Sequence, residues 1–514
     1  MRNARFLFAV VLIGLVTSVS AEVKLPQVIS SHMVLQRDVP VPIWGTAAAG
    51  EKVTVKFRDQ AKTAEPDAQG KWMVKLDPLK VGDAATMTIA GTNTITLDDV
   101  LVGEVWVGSG QSNMDMGVGS YTKGDEVLAK MAAESYPKLR LIRCGRTPWQ
   151  EATPQTIPGF SALLFSFGVP LQKELDVPVG LMVGAVGGTP SGRWLSAEMF
   201  AADTACQEMV AKAKEKYDPA AEEAKYKEAL AKWEKADAEA KKDGKKSPGK
   251  PKQPLPPGEC EGGMGSLFKV HIQPFIPFAM RGVFWDQGES GTAVTGVDQY
   301  TIMGALIRGW RKDWGQGEFP FIHVQKPSGG GCAWNLEDAV TNKAEKFAPP
   351  PAENTISGNN NYREQHIRLM QYPAAPMAIA SDLGPGIHPT NKSGYGARGC
   401  RVALGLVYGK KIEYLGPVYA SHKIEDNKIR VSFTHVGQGL AFKNGEKLQG
   451  FALAGEDKAF HWAEAAVDGE TVVLSSEKVV KPVAVRYAWA GNYPWANFFN
   501  KDGLPGVPFR TDAW

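Results

Sequence analysis

A serine that follows an apolar stretch is the first residue in this sequence that could do chemistry. The stretch 104–108 runs into Ser109 and then into Gly110-Gln-Ser-Asn-Met114, which contains Ser112. Small residues after a buried strand predict a tight turn, which would present the Ser112 hydroxyl and its backbone N–H at a sheet edge. A serine hydroxyl is a weak nucleophile unless a base and donors for the developing oxyanion lie beside it. The Gly-x-Ser-x-Gly pattern is lacking, so a plain turn is the alternative.

His388 is the best candidate for the base. It lies in Asp382-Leu-Gly-Pro-Gly-Ile-His-Pro389, between a predicted buried strand and a helix that begins near residue 391. Such a loop would carry the imidazole to the same sheet edge as Ser112. The remaining histidines lie in strand or β-domain patterns or lack a comparable loop: His32, His271, His323, His366, His422, His435 and His461.

Two more polar loops follow predicted strands. One is 184–190, with Gly187 and Gly188 as sources of N–H donors; the other is 286–290, with an amide and a carboxylate. Each loop alone is more typical of a turn than of an oxyanion hole. Four polar loops that leave the carboxyl ends of parallel strands nevertheless predict one shared site, because ligands bind at that edge of an open α/β sheet.

The elements that would position these loops alternate between strand and helix. The patterns predict strands at 105–107, 179–183, 282–285, 319–324 and 377–380, and helices at 160–175, 298–314, 362–371 and 391–408. Such alternation indicates βαβ units and a parallel sheet covered on both faces. Period-two alternation on either side predicts antiparallel β-domains. Their strand candidates are 53–57, 72–76 and 94–97, then 429–433, 472–475 and 483–487.

One insert, residues 208–258, interrupts the middle region. Residues 208–246 are rich in Ala, Lys and Glu, and Tyr226, Leu230 and Trp233 follow an i, i+4, i+7 spacing. This predicts an amphipathic helix or helical hairpin, followed by a Pro-rich connector at 247–258. A solvated, charged decoration is favoured over a binding arm, and its mixed charges argue against a nucleic-acid tether.

Length and charge narrow the function classes. The chain has 514 residues, 43% of them hydrophobic, which suggests about three domains. Lys and Arg number 58 against 55 Asp and Glu. This near-balance disfavours nucleic acid and anionic membranes as partners.

The N-terminus predicts export. Arg2 and Arg5 are followed by the apolar run 6–16 and by Val19-Ser-Ala21, the pattern of a secretory signal peptide. We therefore expect residues 1–21 to be cleaved and the protein to be secreted or periplasmic. The apolar run is shorter than the roughly 20 residues that a membrane-spanning helix needs.

Five cysteines follow, and Cys206 with Cys260 is the preferred disulfide pair because the two bracket the charged insert. No Cys-x-x-Cys or clustered His/Cys spacing occurs, so we predict no metal and no cofactor.

Several ordered motifs together resemble the sialate O-acetylesterase family of the SGNH-hydrolase (GDSL-like) group. They include residues 25–37, Val102-Gly-Glu-Val-Trp106, Gly110-Gln-Ser-Asn-Met114, Gly187-Gly-Thr-Pro190, Trp285-Asp-Gln-Gly-Glu289, Ile387-His-Pro389 with Lys392, and residues 503–512. The resemblance implies an α/β fold: an SGNH-hydrolase (flavodoxin-like) three-layer α/β/α domain with a mostly parallel sheet at 99–409. It would be flanked by N- and C-terminal β-sandwich-type domains at 22–98 and 410–514.

By the same resemblance, Ser112 is the nucleophile and His388 its general base. The oxyanion donors would be the N–H groups of Ser112 and of a glycine in the 187–188 pair (Gly188), with the amide of Gln287 where related enzymes place an asparagine. The implied function is a secreted carbohydrate O-acetylesterase that works through an acyl-enzyme. Asn113 and Asp286 would contact the substrate.

Two departures from the family pattern affect these expectations. The family commonly carries an acid two or three residues before the histidine, where this chain has Gly386 and Pro385. Asp382, Glu289 or a backbone carbonyl would then orient the imidazole. The family also usually has an aromatic residue at the position of Asp286 and an asparagine at Ser290, so the acetylated glycan stays open between sialic acid, xylan, pectin and algal polysaccharide.

Two other functions remain as alternatives. A non-catalytic glycan-binding protein on the same scaffold is the stronger one, and a serine peptidase is weaker because nothing suggests an extended peptide cleft. The oligomeric state is open.

Overall fold

The computed structural model describes residues 22–325, 347–351, 361–380, 382–384, 386–491 and 493–514. The predicted signal segment 1–21 and Cys332 lie outside these residues. Among the helices of the described ranges, none is both long enough and apolar enough to span a bilayer.

The N-terminal region is built from short strands and one long strand, which pair mostly antiparallel; the first of them pairs parallel with the last. They are β1 (Val34–Gln36), β2 (Val41–Thr46), β3 (Val53–Phe57), β4 (Gln60–Ala64), β5 (Lys71–Leu76), β6 (Ala85–Ala90) and β7 (Thr94–Gly110). β3 pairs with β4 and β6, β6 pairs with β7, and β2 pairs with β5. In β3 the apolar residues are buried and the polar residues between them are not, which is the alternation that the sequence predicted.

The long strand β7 continues from this region into a second, central sheet. Its first residues pair antiparallel with β6, and its last seven pair parallel with β10. The predicted domain boundary at 98/99 therefore falls inside a single strand of 17 residues.

The middle of the chain is α/β, with a mixed sheet in the strand order β13-β12-β11-β7-β10-β8-β9. The further strands are β8 (Tyr136–Arg143), β9 (Thr147–Ala152), β10 (Val179–Ala185), β11 (Gly282–Asp286), β12 (Phe321–Gln325) and β13 (Met377–Ile379). All neighbouring pairs in this order are parallel except β8 with β9, which is antiparallel. The sequence analysis did not predict β8 or β9.

Helices cover both faces of this sheet. The helices of the middle region are α1 (Ser112–Asp115), α2 (Glu126–Ala132), α3 (Ala162–Leu175), α4 (Ala197–Ala202), α5 (Thr204–Glu215), α6 (Pro219–Lys242), α7 (Ser266–His271), α8 (Gln299–Trp314), α9 (Asn361–Leu369) and α10 (Lys392–Val402). Strand β11 shows the two faces: Phe284 packs into the core formed with α3 and α10, whereas Val283 and Trp285 pack into the core formed with α8. Successive residues of a strand point to opposite faces, so β11 is apolar on both faces up to its last residue, Asp286.

The order of the strands identifies where a site should form. β7 lies between β10 and β11, and both of these neighbours come later in the chain. The connections therefore diverge to either side of β7, which makes its carboxyl end a topological switch point. Ser112 lies immediately after that end.

The C-terminal region is a β-sandwich. Its strands are β14 (Val418–Glu425), β15 (Lys428–Thr434), β16 (Leu440–Phe442), β17 (Phe451–Ala454), β18 (Phe460–Trp462), β19 (Glu464–Asp468), β20 (Thr471–Ser475), β21 (Ala484–Tyr487), β22 (Phe498–Asn500) and β23 (Phe509–Arg510). Two four-stranded antiparallel sheets, β14-β15-β20-β19 and β18-β17-β21-β23, share one apolar core. That core includes Val431 and Leu474 from the first sheet and Leu453 and Val485 from the second.

The charged insert contains most of α5 and all of α6, two consecutive helices, followed by the Pro-rich connector. Trp233 on α6 donates its indole N–H to the carbonyl of Pro248 at 2.8 Å, so the connector packs back along the helix. The predicted Cys206–Cys260 disulfide is wrong, since both cysteines are free. The Cys206 thiol faces the Thr301 carbonyl of α8 at 4.0 Å, whereas Cys260 forms a β-bridge with Val294. Burial raises the pKa of Cys206 to about 12 and that of Cys260 to about 11.

Candidate active site

Ser112 and His388 meet at the carboxyl end of β7. The Ser112 Oγ lies 2.7 Å from the His388 Nε2, although 276 positions separate the two residues in the chain. Ser112 is half-buried and His388 is exposed, so the pair is open to solvent. This distance is the one that a base needs to accept a proton from a nucleophilic hydroxyl.

The turn that presents Ser112 depends on Gly110. Its φ is +123°, and a Cβ atom there would lie 2.0 Å from the Asp286 carbonyl oxygen. The same carbonyl accepts the N–H of Gln111 at 2.8 Å, which ties the end of β7 to β11. Only glycine accommodates both this backbone conformation and the close approach of β11.

The glycine loop after β10 lies directly against the nucleophile turn. A Cβ at Gly187 would lie 3.4 Å from the Ser112 Cβ, so the two backbones are neighbours. Gly188 has a φ of +70° and is exposed, with no atom within 4 Å of the position of its missing Cβ. Open space therefore lies beside the backbone of Gly188.

An ion pair that the sequence analysis missed holds this loop. The Asp115 carboxylate accepts the Gly187 N–H at 3.3 Å and an N–H of Arg143 at 2.5 Å. Arg143 is buried and also donates to the Asp115 and Gly159 carbonyls. Burial lowers the pKa of Arg143, and the carboxylate of Asp115 partly opposes this effect. Arg143 is the last residue of β8. Recognising that strand in the sequence would have placed Arg143 near the site.

Gln287 occupies a different place from the one expected of an oxyanion donor. Its side chain is fully buried; its Nε2 donates to the Thr189 carbonyl at 3.3 Å and to the Gly291 carbonyl at 3.2 Å. Its Oε1 accepts from Gln299 at 3.1 Å. The amide therefore joins the loops after β10 and β11. Both of its N–H groups donate to these carbonyls, so the side chain does not point an N–H at the Ser112 hydroxyl.

Each of the two acids considered as partners of His388 has a hydrogen-bond partner of its own. Both oxygens of Asp382 accept from the guanidinium of Arg398, at 3.1 and 3.0 Å. Glu289 accepts a short hydrogen bond from the side chain of Gln111, whose Oε1 accepts from Ser290 at 2.9 Å. Asp382 thus fixes its loop to α10, and Glu289 fixes the loop after β11 to the nucleophile turn.

Asn113 and Asp286, expected on the substrate side, are both fully buried. Asn113 donates from Nδ2 to the Ile387 carbonyl at 3.0 Å and accepts from the Lys392 ammonium. The Asp286 carboxylate contributes to the raised pKa of Tyr121, about 12, for which burial is the larger cause. Since neither side chain has accessible surface, both lie behind the wall of the site and not on it. No group of three or more potential metal ligands occurs in the described part of the chain.

The chain is similar over most of its length to proteins of one type. Sialate O-acetylesterases from Pongo abelii, Homo sapiens and Rattus norvegicus are each 26% identical to it over 538 residues; the match covers 94% of this chain and 91% to 93% of the relatives. A solved structure of a carbohydrate acetylesterase from Xanthomonas citri has a TM-score of 0.73 and 28% identity, covering 96% of this chain and 100% of that one. No protein-family model matches the chain.

The resemblance to the sialate O-acetylesterase family is confirmed, and the chain is an esterase.

Several polar groups of this esterase meet at one edge of the central sheet. A hydroxyl bonded to an imidazole lies on one side, and a backbone turn with open space at Gly188 lies next to it. Three loops are braced to the nucleophile turn through Asp115, Asn113 and Gln111.

Proposed function

We propose that this esterase removes acetyl groups from carbohydrates through an acyl-enzyme on Ser112, with His388 as general base. The observation that carries the proposal is the 2.7 Å hydrogen bond between Ser112 Oγ and His388 Nε2. The names of the similar proteins, sialate O-acetylesterase and carbohydrate acetylesterase, support the choice of acyl group and of substrate class. The resemblance to SGNH hydrolases is consistent with this arrangement.

The first half of the reaction is acyl transfer. His388 Nε2 takes the Ser112 proton as Oγ attacks the acetyl carbonyl carbon, and the carbonyl oxygen becomes an oxyanion. The backbone N–H groups of Ser112 and Gly188 are the proposed donors to that oxyanion, because Gly188 borders open space and directly follows Gly187, which lies against Ser112. The bond from carbon to the sugar oxygen then breaks, and Nε2 returns its proton to that oxygen.

The second half is hydrolysis of the acetyl-serine. A water molecule gives its proton to Nε2 and attacks the acetyl carbon. The second tetrahedral intermediate collapses, acetate leaves, and the proton on Nε2 goes back to Ser112 Oγ. The atoms and charges balance without a metal ion or another co-reactant.

Acetate release tests the proposal. Wild-type protein would be assayed on p-nitrophenyl acetate and on a panel of acetylated sialosides, xylan and pectin. Ser112→Ala should reduce the rate by three or more decades, the scale expected for loss of a nucleophile. Ser421→Ala, at an exposed position of β14, is the matched control and should keep the wild-type rate.

Two results would overturn it. Turnover retained by Ser112→Ala would remove the nucleophile from the proposal. Wild-type protein that binds the acetylated glycans but releases no acetate from any of them would instead favour a glycan-binding protein on this scaffold.

A further inference from the structure

A buried asparagine links the backbones on either side of the two reacting residues. Asn113 directly follows Ser112, and its Nδ2 donates to the carbonyl of Ile387, the residue directly before His388, at 3.0 Å. The bond spans 274 positions of the chain. The Asn113 side chain is fully buried, whereas Ile387 is exposed, so the bond ties an exposed loop to a buried donor. The hydrogen bond therefore sets the separation of the two loops one residue away from each reacting atom.

Lys392 determines how the Asn113 amide is oriented. It is the first residue of α10, fully buried, and its ammonium donates to the Asn113 Oδ1 at 2.5 Å. It also lies over the rings of Tyr121 and Tyr395, 4.6 and 4.8 Å from their centroids. An ammonium can only donate, so the amide oxygen must face Lys392 and the NH₂ group must face Ile387. A flipped amide would leave both contacts repulsive.

We propose that Asn113 and Lys392 are positioning residues that set the distance between Ser112 and His388. The inference rests on the proposed function, since it concerns the geometry of that pair. Neither residue touches the reacting atoms. Their effect follows from the steep dependence of rate on alignment, for which a misplacement of about 1 Å costs about 100-fold.

A second, independent contact keeps α10 in place when the amide is altered. The buried Asp125 carboxylate accepts the Ser393 N–H at 2.7 Å and the Ser393 hydroxyl at 2.8 Å. It also caps α2 by accepting the Leu128 N–H at 2.9 Å. Loss of the Asn113–Ile387 bond therefore frees the loop at 387–388 without releasing the helix that follows it.

The substitution Asn113→Asp separates positioning from folding. The side chain keeps its size, and the new carboxylate forms an ion pair with Lys392, but it has no N–H for Ile387 and faces that carbonyl with a negative charge. We expect kcat on p-nitrophenyl acetate to fall by about 10- to 100-fold, with KM changed less than threefold and Tm within a few degrees of wild type. Asn427→Asp, in the exposed turn between β14 and β15, is the matched control and should be unchanged.

Lys392→Met provides the second variant. It retains a long apolar stem between the two tyrosine rings but removes the cation, so the amide is free to flip. We expect a similar loss of kcat, and slower labelling of Ser112 by a fluorophosphonate ester, measured on the fraction that circular dichroism shows to be folded. A kcat for Asn113→Asp within twofold of wild type, or a loss that merely tracks the unfolded fraction, would overturn the inference. If Ser112→Ala stays inactive in that case, the proposed function stands.

Discussion

The side-chain amide of Gln287, in the loop after β11, donates at 3.3 Å to the backbone carbonyl of Thr189, in the loop after β10. Its second N–H donates to the carbonyl of Gly291. One buried amide thus holds the loop after β10 against the loop after β11. Both loops border Ser112, one through Gly187 and the other through the contact of Glu289 with Gln111. An amide bonded in this way supports the walls of the site.

Gln287→Ala should therefore reduce stability as well as rate. Removing the amide leaves buried carbonyls unsatisfied, and we expect the free energy of unfolding to fall by about 2–3 kcal/mol. Denaturant unfolding beside kcat measurements checks this, with the exposed Gln69→Ala as control. An unchanged stability with a 100- to 1,000-fold lower kcat would instead identify Gln287 as an oxyanion donor.

The ion pair between Asp115 and Arg143 provides a second prediction. Asp115→Asn leaves the buried guanidinium without its charge partner and weakens the acceptor of the Gly187 N–H. We expect a loss of about 2 kcal/mol in the free energy of unfolding and a lower kcat, because the glycine loop loosens. Asp59→Asn, at an exposed position, should change neither. A double-mutant cycle with Arg143→Gln should give a coupling energy of at least about 1 kcal/mol; additive effects would contradict the pairing.

Replacement of Gly110 should be far more damaging than replacement of another glycine with positive φ. In Gly110→Ala the new methyl group would clash with the Asp286 carbonyl, and the backbone at φ +123° is strained for any L-residue. We expect the protein to lose more than about 3 kcal/mol or to fail to fold. Gly145→Ala, at φ +66° with nothing within 4 Å, should cost only about 1–2 kcal/mol. Equal melting temperatures for the two variants would contradict the argument.

The pH dependence of stability should include a contribution from His323. Complete burial lowers the pKa of its imidazole to about 4, and its Nε2 hydrogen-bonds the His366 carbonyl at 2.9 Å. Between pH 4 and 6.5 the unfolded chain binds the proton and the folded chain does not, so stability rises with pH across this window. The contribution is complete above pH 6.5 and is lost as the pH falls toward 4, by about 3 kcal/mol in all.

His323→Gln, which keeps a donor near the position of Nε2, isolates this contribution. The difference in unfolding free energy between pH 7 and pH 4 should be smaller in the variant than in wild type by about that amount. Chemical denaturation at the two pH values measures it. The same pH dependence in both proteins would contradict the assignment.

The approximate positions of the reacting residues follow from the sequence, whereas the roles of their neighbours do not. The alternation of strands and helices places Ser112 and His388 at the carboxyl ends of parallel strands, and such ends meet at one edge. For Asn113 and Asp286, by contrast, the direction of the side chain decides the role, and both point into the protein. Sequence spacing does not report that direction, because neighbouring residues of a strand or a turn can point to opposite sides. One of them then faces the cleft and the next faces the core.

The missed strand β8 shows a second limit. Tyr136–Arg143 contains three charged residues, so its pattern lacks the apolar run expected of a buried parallel strand. Its Arg140 and Arg143 are buried because they find partners in Asp99 and Asp115, which are distant in sequence. Tertiary ion pairs of this kind overrule local patterns.

The uninterrupted course of β7 has a consequence for engineering this enzyme. Strand β7 begins in the N-terminal sheet and ends at the nucleophile turn. Strands of both sheets are hydrogen-bonded to it. A chain break at residue 99 would fall five residues after the start of β7. It would separate β6 from most of β7. The N-terminal β-region is thus not an exchangeable module, and chimaeras with related enzymes should be joined in an exposed segment such as 409–412.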